Sequence, residues 1–283
     1  MSSKSTKATL ANKASSNISP WLKVAVVQTV PDMQHLVDSL GDYLSTNPVS
    51  LYLNFEGIKL GGPHIHIGKM VLFIPSRSTV YVIDLPELGP SAFSISRADD
   101  EKQTLKSILE SDRVPKAIFD VRNTFTALSR LHNIALQNIH DVQLMELATR
   151  NADTSKRYLA GWDKCIAEDG SINPAVDLRG QPPLPLVFDP RILQLPVLWA
   201  KYHAKLTSTG MAFWVYMVRK ATKDRVTKPK RLPSYTENST SNDTLGPWAA
   251  YTIEDETDKW NDRCLEDALC GEHSVDYTLF RAL

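Results

Sequence analysis

Three β-rich segments follow one another closely in the first third of the chain, and their spacing restricts the fold more than any other feature. Residues 49–55, 66–74 and 79–85 are rich in branched and aromatic side chains, which favour strands. Residues 61–63 (Gly-Gly-Pro) and 75–78 (Pro-Ser-Arg-Ser) separate these segments, and both stretches favour turns. The sequence therefore predicts a three-stranded meander.

Helix and strand patterns alternate on both sides of this meander. Residues 23–29 form a β-branched run, and Pro31 opens a segment with apolar residues at helical spacing. Beyond the meander the order predicts an α/β domain with a mixed sheet flanked by helices. The predicted elements there are a helix around residues 105–109, a strand over 117–119, helices over 125–131, 141–149 and 156–168, and a helical region over 192–225 with a break at Gly210.

Composition divides the 283 residues into three parts. Residues 1–19 are polar, residues 20–230 carry the strand and helix patterns, and residues 231–283 are rich in Pro, Ser, Thr, Asn and acids. We therefore predict a disordered lead, one folded domain, and a loosely ordered acidic tail. Within the domain, residues 169–190 are dense in Gly and Pro and predict a long loop, which often lies near a functional site.

Charge is balanced overall, with 32 basic and 32 acidic residues, but it is unevenly distributed. Residues 201–231 contain nine Lys or Arg and one acid, whereas residues 232–283 contain eleven acids and three Lys or Arg. The basic stretch indicates either a solvated helix face or a surface that contacts phosphates. The acidic tail is suited to fold back on it.

No apolar run approaches the length of about 20 residues that a membrane span needs, so we predict no membrane association. The three cysteines are too few for a disulfide framework and fit a reducing compartment. Cytoplasm or nucleus is the predicted location. An organelle transit peptide in the acid-free lead is the alternative.

Three segments resemble the motifs of the DEDD-type 3′–5′ exonuclease domain family. Residues 51–60 (LYLNFEGIKL), with the strand patterns at 66–74 and 80–88, are similar to the first motif, a strand carrying Asp-x-Glu. Residues 117–128 (AIFDVRNTFTAL), continuing over 138–145, resemble the second. Residues 195–206 (LPVLWAKYHAKL) resemble the helical end of the domain, particularly in fungal members. The resemblance spans about residues 23–250 and implies a ribonuclease H-like mixed β-sheet flanked by helices.

In this family four carboxylates hold two Mg²⁺ or Mn²⁺ ions, about 3.5–4 Å apart, that activate water and brace the phosphate. The four family positions fall on Asn54, Glu56, Thr124 and Arg191, so only Glu56 keeps a carboxylate. The formal charges of these side chains cancel, which leaves Glu56 as a weak metal ligand. We therefore expect no cofactor and impaired catalysis, and a need for Mg²⁺ or Mn²⁺ if the chain is active.

Arg191 has two possible uses in place of the metals. It either pairs with Glu56 or presents its guanidinium fork to a backbone phosphate. Asp189 lies two residues away, so a shift of register would restore one ligand. The resemblance assigns structural roles, at strand ends and helix caps, to three other acids of the matched motifs: Asp84, Asp120 and Asp141.

The predicted function is binding of single-stranded nucleic acid, RNA or DNA, by an exonuclease-like domain with impaired catalysis. Helical spacing places Trp199 and Tyr202 in the core. Two alternatives remain open: an active exonuclease with displaced ligands, and a protein-interaction scaffold without nucleic-acid affinity. The predicted phosphate contacts are Lys205, Arg219, Lys223, Arg225, Lys228 and Lys230.

Overall fold

The computed structural model of the chain describes residues 22–41, 49–61, 65–170, 187–228, 244–248 and 250–270. A single six-stranded sheet organises them, in the order β1-β4-β3-β2-β5-β6. The strands are β1 (Lys23–Val27), β2 (Leu51–Glu56), β3 (Lys69–Ile74), β4 (Thr79–Asp84), β5 (Lys116–Ile118) and β6 (Ile139–Asp141). Among the described residues, no helix is both long and apolar enough to cross a membrane.

The predicted meander is confirmed, because β3 pairs antiparallel with both β2 and β4. The other three strands pair parallel: β1 with β4, β5 with β2, and β6 with β5. The sheet is therefore mixed, as predicted. Since β2, β5 and β6 run in the same direction, their carboxyl ends meet at one edge of the sheet.

Ten α-helices are described, and most of the predicted helical segments are among them. They are α1 (Val30–Leu40), α2 (Leu85–Leu88), α3 (Ser91–Ser94), α4 (Leu105–Glu110), α5 (Val121–His132), α6 (Val142–Ala148), α7 (Trp162–Asp169), α8 (Leu195–Leu206), α9 (Ala212–Thr227) and α10 (Ala250–Cys270). Two 3₁₀ helices span Pro75–Arg77 and Pro190–Gln194. The helix predicted over 156–168 starts only at Trp162, and β6, α2 and α3 were not predicted. Residues 171–186 of the predicted long loop lie outside the described residues.

Both faces of the sheet are buried along its central strands, which explains why β2, β3 and β4 read as nearly continuous apolar runs. Strand β3 shows this most clearly. Val71 and Phe73 join the core beneath α6, α8 and α9, while Met70, Leu72 and Ile74 join the core beneath α1, α4 and α5. Alternate residues of a strand point to opposite faces, so one apolar run serves two cores.

Helix α10 corrects the prediction of a loosely ordered tail for residues 250–270. Trp260 packs against Phe213 and Tyr216, with ring centroids 6.3 and 5.2 Å apart. Glu256 pairs with Lys220 of α9, so the acidic tail does fold back on the basic stretch. The composition of the tail did not reveal these few aromatic and ionic contacts, which depend on single residues of α10.

Candidate functional site

Three of the four family positions lie close to one another, at the sheet edge where β2 ends. Asn54 and Glu56 are alternate residues of β2, and Arg191 lies in the 3₁₀ helix Pro190–Gln194, which packs against β2 and β3. Thr124 is buried in α5, the helix that follows β5. No hydrogen bond joins its hydroxyl to the other three side chains in the described part of the chain.

The carboxylate of Glu56 is already engaged by the protein. Its Oε1 accepts the main-chain N–H of Asp189 at 2.8 Å and a longer bond from the Asn54 amide at 3.5 Å. Lys69, the cross-strand neighbour of Glu56, donates its Nζ to the carbonyl of Val187 at 2.8 Å. These bonds tie the main chain of residues 187–189 to β2 and β3. The segment therefore lies against the Glu56 carboxylate, whose oxygens would face a metal.

Arg191 is held by two carboxylates and one aromatic ring. Its Nε donates to Asp189 at 2.8 Å, and its Nη1 donates to Asp163 at 3.2 Å. The guanidinium lies 5.3 Å from the centre of the Trp162 ring, whose other neighbour is the stacked ring of Phe119. The predicted pair between Arg191 and Glu56 is therefore wrong.

The reason for this pairing is local. Asp189 caps the 3₁₀ helix by accepting the main-chain N–H of Arg191 at 3.0 Å, which places the two side chains side by side. The same bonds occupy the guanidinium fork, so it is not presented to a phosphate. Burial raises the pKa of Asp189, but the hydrogen bonds from Arg191 outweigh it and the pKa is lowered. The bond to Asp189 raises the pKa of Arg191, so both groups are charged at neutral pH.

This donor set does not fit a two-metal centre. It consists of an amide, a carboxylate engaged by main-chain N–H, a buried hydroxyl and a carboxylate neutralised by arginine. Mg²⁺ requires several charged oxygens to replace part of its hydration shell. Throughout the described ranges, no group of three or more His, Cys, Asp or Glu side chains is arranged to hold a metal ion.

The three acids given structural roles do act as helix caps. Asp84 caps α2, Asp120 caps α5, and Asp141 caps α6. Asp141 is fully buried, accepts the main-chain N–H groups of Asp120 and Val121 at 3.2 Å, and pairs with Arg225 at 2.6 Å. This prediction is confirmed, and the same contacts change the role of Arg225.

The six predicted phosphate contacts do not form one surface. Arg225 is buried in ion pairs with Asp141 and Asp120, so its prediction as a phosphate contact is wrong. Lys228 is exposed and pairs with Asp224, while Lys230 lies outside the described residues. Two cavities contain the others: Lys205 lines a large cleft at the ends of α6 and α8, and Arg219 and Lys223 line a smaller pocket beside α9.

The large cleft has a volume of about 1290 Å³ and a basic wall. Lys156, Arg157 and Lys205 line it, together with Trp214. The Nζ of Lys156 donates to the carbonyl of Arg150 at 2.7 Å and lies 4.8 Å from the centre of the Trp214 ring. Burial and the nearby charge of Arg150 lower the pKa of Lys156 to about 8.

Comparison with known proteins identifies the fold. No family model matches the chain, and no curated protein matches it either. Among solved structures, RNase D from Trypanosoma brucei in complex with RNA U12 has a TM-score of 0.56 at 16% identity, covering 83% of this chain and 79% of that one. Another structure of RNase D from Trypanosoma brucei has a TM-score of 0.54 at 17% identity, covering 78% of each chain.

The catalytic core of RRP6 from Trypanosoma brucei is also similar, with a TM-score of 0.51 and 11% identity over 74% of this chain and 53% of that one. The described chain therefore has the mixed α/β fold of RNase D-like 3′–5′ exonuclease domains. At these identities the comparison establishes the fold alone.

Several residues of the site were not predicted from the sequence. Lys69, Trp162 and Asp163 hold the segment 187–189 and Arg191, yet none was predicted as a site residue. One signal was present: Asp189 precedes Pro190, and an acid followed by proline is typical of a helix start. That signal predicts a cap whose carboxylate is directed at the first turn, where Arg191 lies.

Proposed function

We propose that this chain binds single-stranded nucleic acid, without hydrolysing it, through an exonuclease-like domain. One observation carries the absence of hydrolysis: the Glu56 carboxylate accepts the main-chain N–H of Asp189, and Arg191 takes the place of a ligand. Two divalent cations would have to displace these contacts and then bind neutral or neutralised groups. The metal-dependent route is unfavourable on charge alone.

The nucleic-acid partner is supported by the fold and by the large basic cleft. One of the similar structures is a complex of RNase D with RNA, so this fold accommodates a strand in that protein. In the present chain Lys205 and Arg157 are exposed on the cleft, where phosphates would neutralise them. The partly buried ring of Trp214 adds an aromatic wall. Proteins that bind single strands without sequence preference combine cations, which contact the phosphates, with aromatic side chains, which stack on the bases.

The test measures binding and cutting together. Purified protein is incubated with 5′-labelled single-stranded RNA or DNA in Mg²⁺, Mn²⁺ or EDTA, and the products are run on native and denaturing gels. We expect a retarded band of equal strength in EDTA and no shortening of the strand. A metal-dependent ladder from the 3′ end that Glu56→Gln and Asp189→Asn abolish would instead establish an active exonuclease with displaced ligands.

Charge variants of the cleft test where the strand binds. Replacing Lys205 and Arg157 by Gln removes two phosphate contacts, so the slope of log K against log salt should fall by about 1.4 for a single strand. Lys164→Gln is the matched control, because Lys164 is an exposed lysine that pairs with Glu168 and does not line the cleft. No retardation of any strand at low salt would leave the protein-interaction scaffold as the function.

A further inference from the structure

A second cavity, beside α9, has the features of a built ligand site. It has a volume of about 430 Å³ and lies between residues 135–140, α6 and α9. Small-molecule sites typically occupy about 300–1,000 Å³ and combine apolar walls with a few polar groups. None of the four family positions lines it. Its apolar walls include Leu136, Met145, Val218 and Val226.

Thr222 contributes a hydroxyl that the protein does not use. The residue is 6% exposed and lines this pocket, and its buried Oγ1 has no hydrogen-bond partner among the described residues. A threonine inside a helix usually donates to the carbonyl four residues earlier, so an unpaired one is unusual. Buried polar groups are nearly always paired, so this hydroxyl needs a partner in the pocket, either a water molecule or a bound ligand.

His140 also lines this pocket, and its ring carries one N–H. Burial, followed by the charges of Arg219, His203 and Lys116, lowers the pKa of His140 to about 3, so the ring is neutral. Its Nδ1 accepts the indole N–H of Trp199 at 3.1 Å, which places the remaining proton on Nε2. The Thr222 hydroxyl and the His140 N–H are thus two of the polar groups of the residues that line the pocket, which also include Gln137, Asn138 and Thr227.

Two cations, one helical turn apart on α9, complete the pocket. Arg219 and Lys223 both line it, and Lys223 is exposed. The neighbouring cations Lys220 and Lys228 pair with Glu256 and Asp224. Within the described residues Lys223 has no carboxylate within 4.0 Å, so it is available to an anion.

We propose that this pocket binds a nucleotide. The apolar walls cover the faces of the base, Thr222 and His140 hydrogen-bond its polar edge, and Arg219 and Lys223 contact the phosphate. An aliphatic acid would leave both polar groups unpaired, and inorganic phosphate would leave the apolar walls uncovered. The nucleotide is either a free nucleoside monophosphate or one unit of a bound strand, and only the second source rests on the proposed function.

The test uses variants that fill or simplify the pocket. Val226→Trp fills it from a half-buried position, and Ala212→Trp, on an exposed part of α9 outside the pocket, is the matched control. Thr222→Val removes the unpaired hydroxyl, so we expect unchanged or higher thermal stability and about tenfold weaker nucleotide binding. Calorimetric titrations use AMP, GMP, CMP, UMP and a single-stranded RNA in turn.

The outcomes separate this inference from the proposed function. The pocket is supported if a ligand binds less tightly to Val226→Trp and Thr222→Val but equally well to Ala212→Trp. If that ligand is a monophosphate, the source is a free nucleotide, and if it is the strand alone, the source is one unit of a bound strand. Binding that both pocket variants leave unchanged overturns the pocket while the proposed function stands. A monophosphate that binds where no strand does keeps the pocket and contradicts the proposed function. If no nucleotide and no strand binds the wild type, both fail.

Discussion

Two of the arginine–aspartate pairs in this domain, Arg225–Asp141 and Arg191–Asp189, differ in burial rather than in chemistry. The side chains of Arg225 and Asp141 are 9% and 0% exposed, whereas those of Arg191 and Asp189 are 41% and 22% exposed. The first pair joins residues 84 apart in sequence, and the second joins residues two apart. A cation in this domain therefore takes its role from the groups that surround it.

The buried pair connects distant elements of the fold. Asp141 ends β6, caps α6 and accepts two main-chain N–H groups at the start of α5, while Arg225 brings in α9. The exposed pair neutralises one carboxylate and closes one turn of 3₁₀ helix. We expect the first to determine stability and the second to determine charge at the sheet edge.

The largest expected effect comes from breaking the buried pair. Arg225→Met should lower the free energy of unfolding by about 3–5 kcal/mol, because Asp141 would be left as an uncompensated buried charge. Urea unfolding at pH 7 measures it. The double variant Arg225→Met with Asp141→Asn should recover part of the loss, and a loss below about 1 kcal/mol for the single variant would contradict the role of burial.

The next largest effect is expected when carboxylates are placed at the three family positions that lack them. The triple variant Asn54→Asp, Thr124→Asp and Arg191→Asp should be destabilised without metal, since like charges would then crowd around Glu56. Saturating Mg²⁺ should restore stability, by about 2.7 kcal/mol at a concentration one hundred times the Kd. Thermal denaturation with and without Mg²⁺ measures this effect.

Its control replaces the same positions with neutral groups, Asn54→Gln, Thr124→Asn and Arg191→Gln, and should show no response to Mg²⁺. The wild type should not respond either. A wild-type melting temperature that rises with Mg²⁺ as much as that of the triple variant would show that the native residues already hold metal.

A smaller effect is the dependence of stability on pH that the buried His140 produces. The folded pKa of His140 is about 3, below its unfolded value of about 6.5. The unfolded state therefore binds the proton first, and stability falls by about 1.4 kcal/mol per pH unit below 6.5, or about 2 kcal/mol at pH 5. Unfolding between pH 7 and 5 measures this slope, because carboxyl groups with a lowered pKa, such as Asp120 and Asp189, lose their contribution to stability only below about pH 5.

His140→Gln should flatten that slope. His132, whose pKa is also lowered by burial, contributes a weaker dependence in the same direction, so His132→Gln serves as the matched control. An unchanged slope in His140→Gln would show that the imidazole does not lie neutral in the folded protein.

The sheet was predictable because its causes are local. Branched runs, turn residues and helical spacing predicted the meander, β1 and most helices, whereas the structural roles of Asp84, Asp120 and Asp141 came from the family resemblance. Partners distant in sequence were not predictable. Asp163 and Trp162 reach Arg191 only through the tertiary fold, and α10 is ordered by a few contacts in an acidic segment.

The site shows the same division between local and distant causes. Motif spacing brought Asn54 and Glu56 onto one strand face, but nothing in the motif indicates that the main chain of Asp189 would occupy Glu56. Likewise the charge pattern of α9 could not distinguish the buried Arg225 from the exposed Lys223, because helical spacing does not show which face meets an acid.

The smallest expected effect comes from replacing the arginine of the exposed pair. Arg191→Gln should change the free energy of unfolding by about 0–1 kcal/mol, since partly exposed pairs are screened by water and salt. The amide keeps a donor for Asp189, and the Trp162 ring keeps its stack on Phe119. Urea unfolding at low and high salt measures it, with Lys164→Gln as the surface control. A loss as large as that of Arg225→Met would mean that Arg191 replaces the metals as a structural centre, and the exposed pair would then have the role assigned here to the buried one.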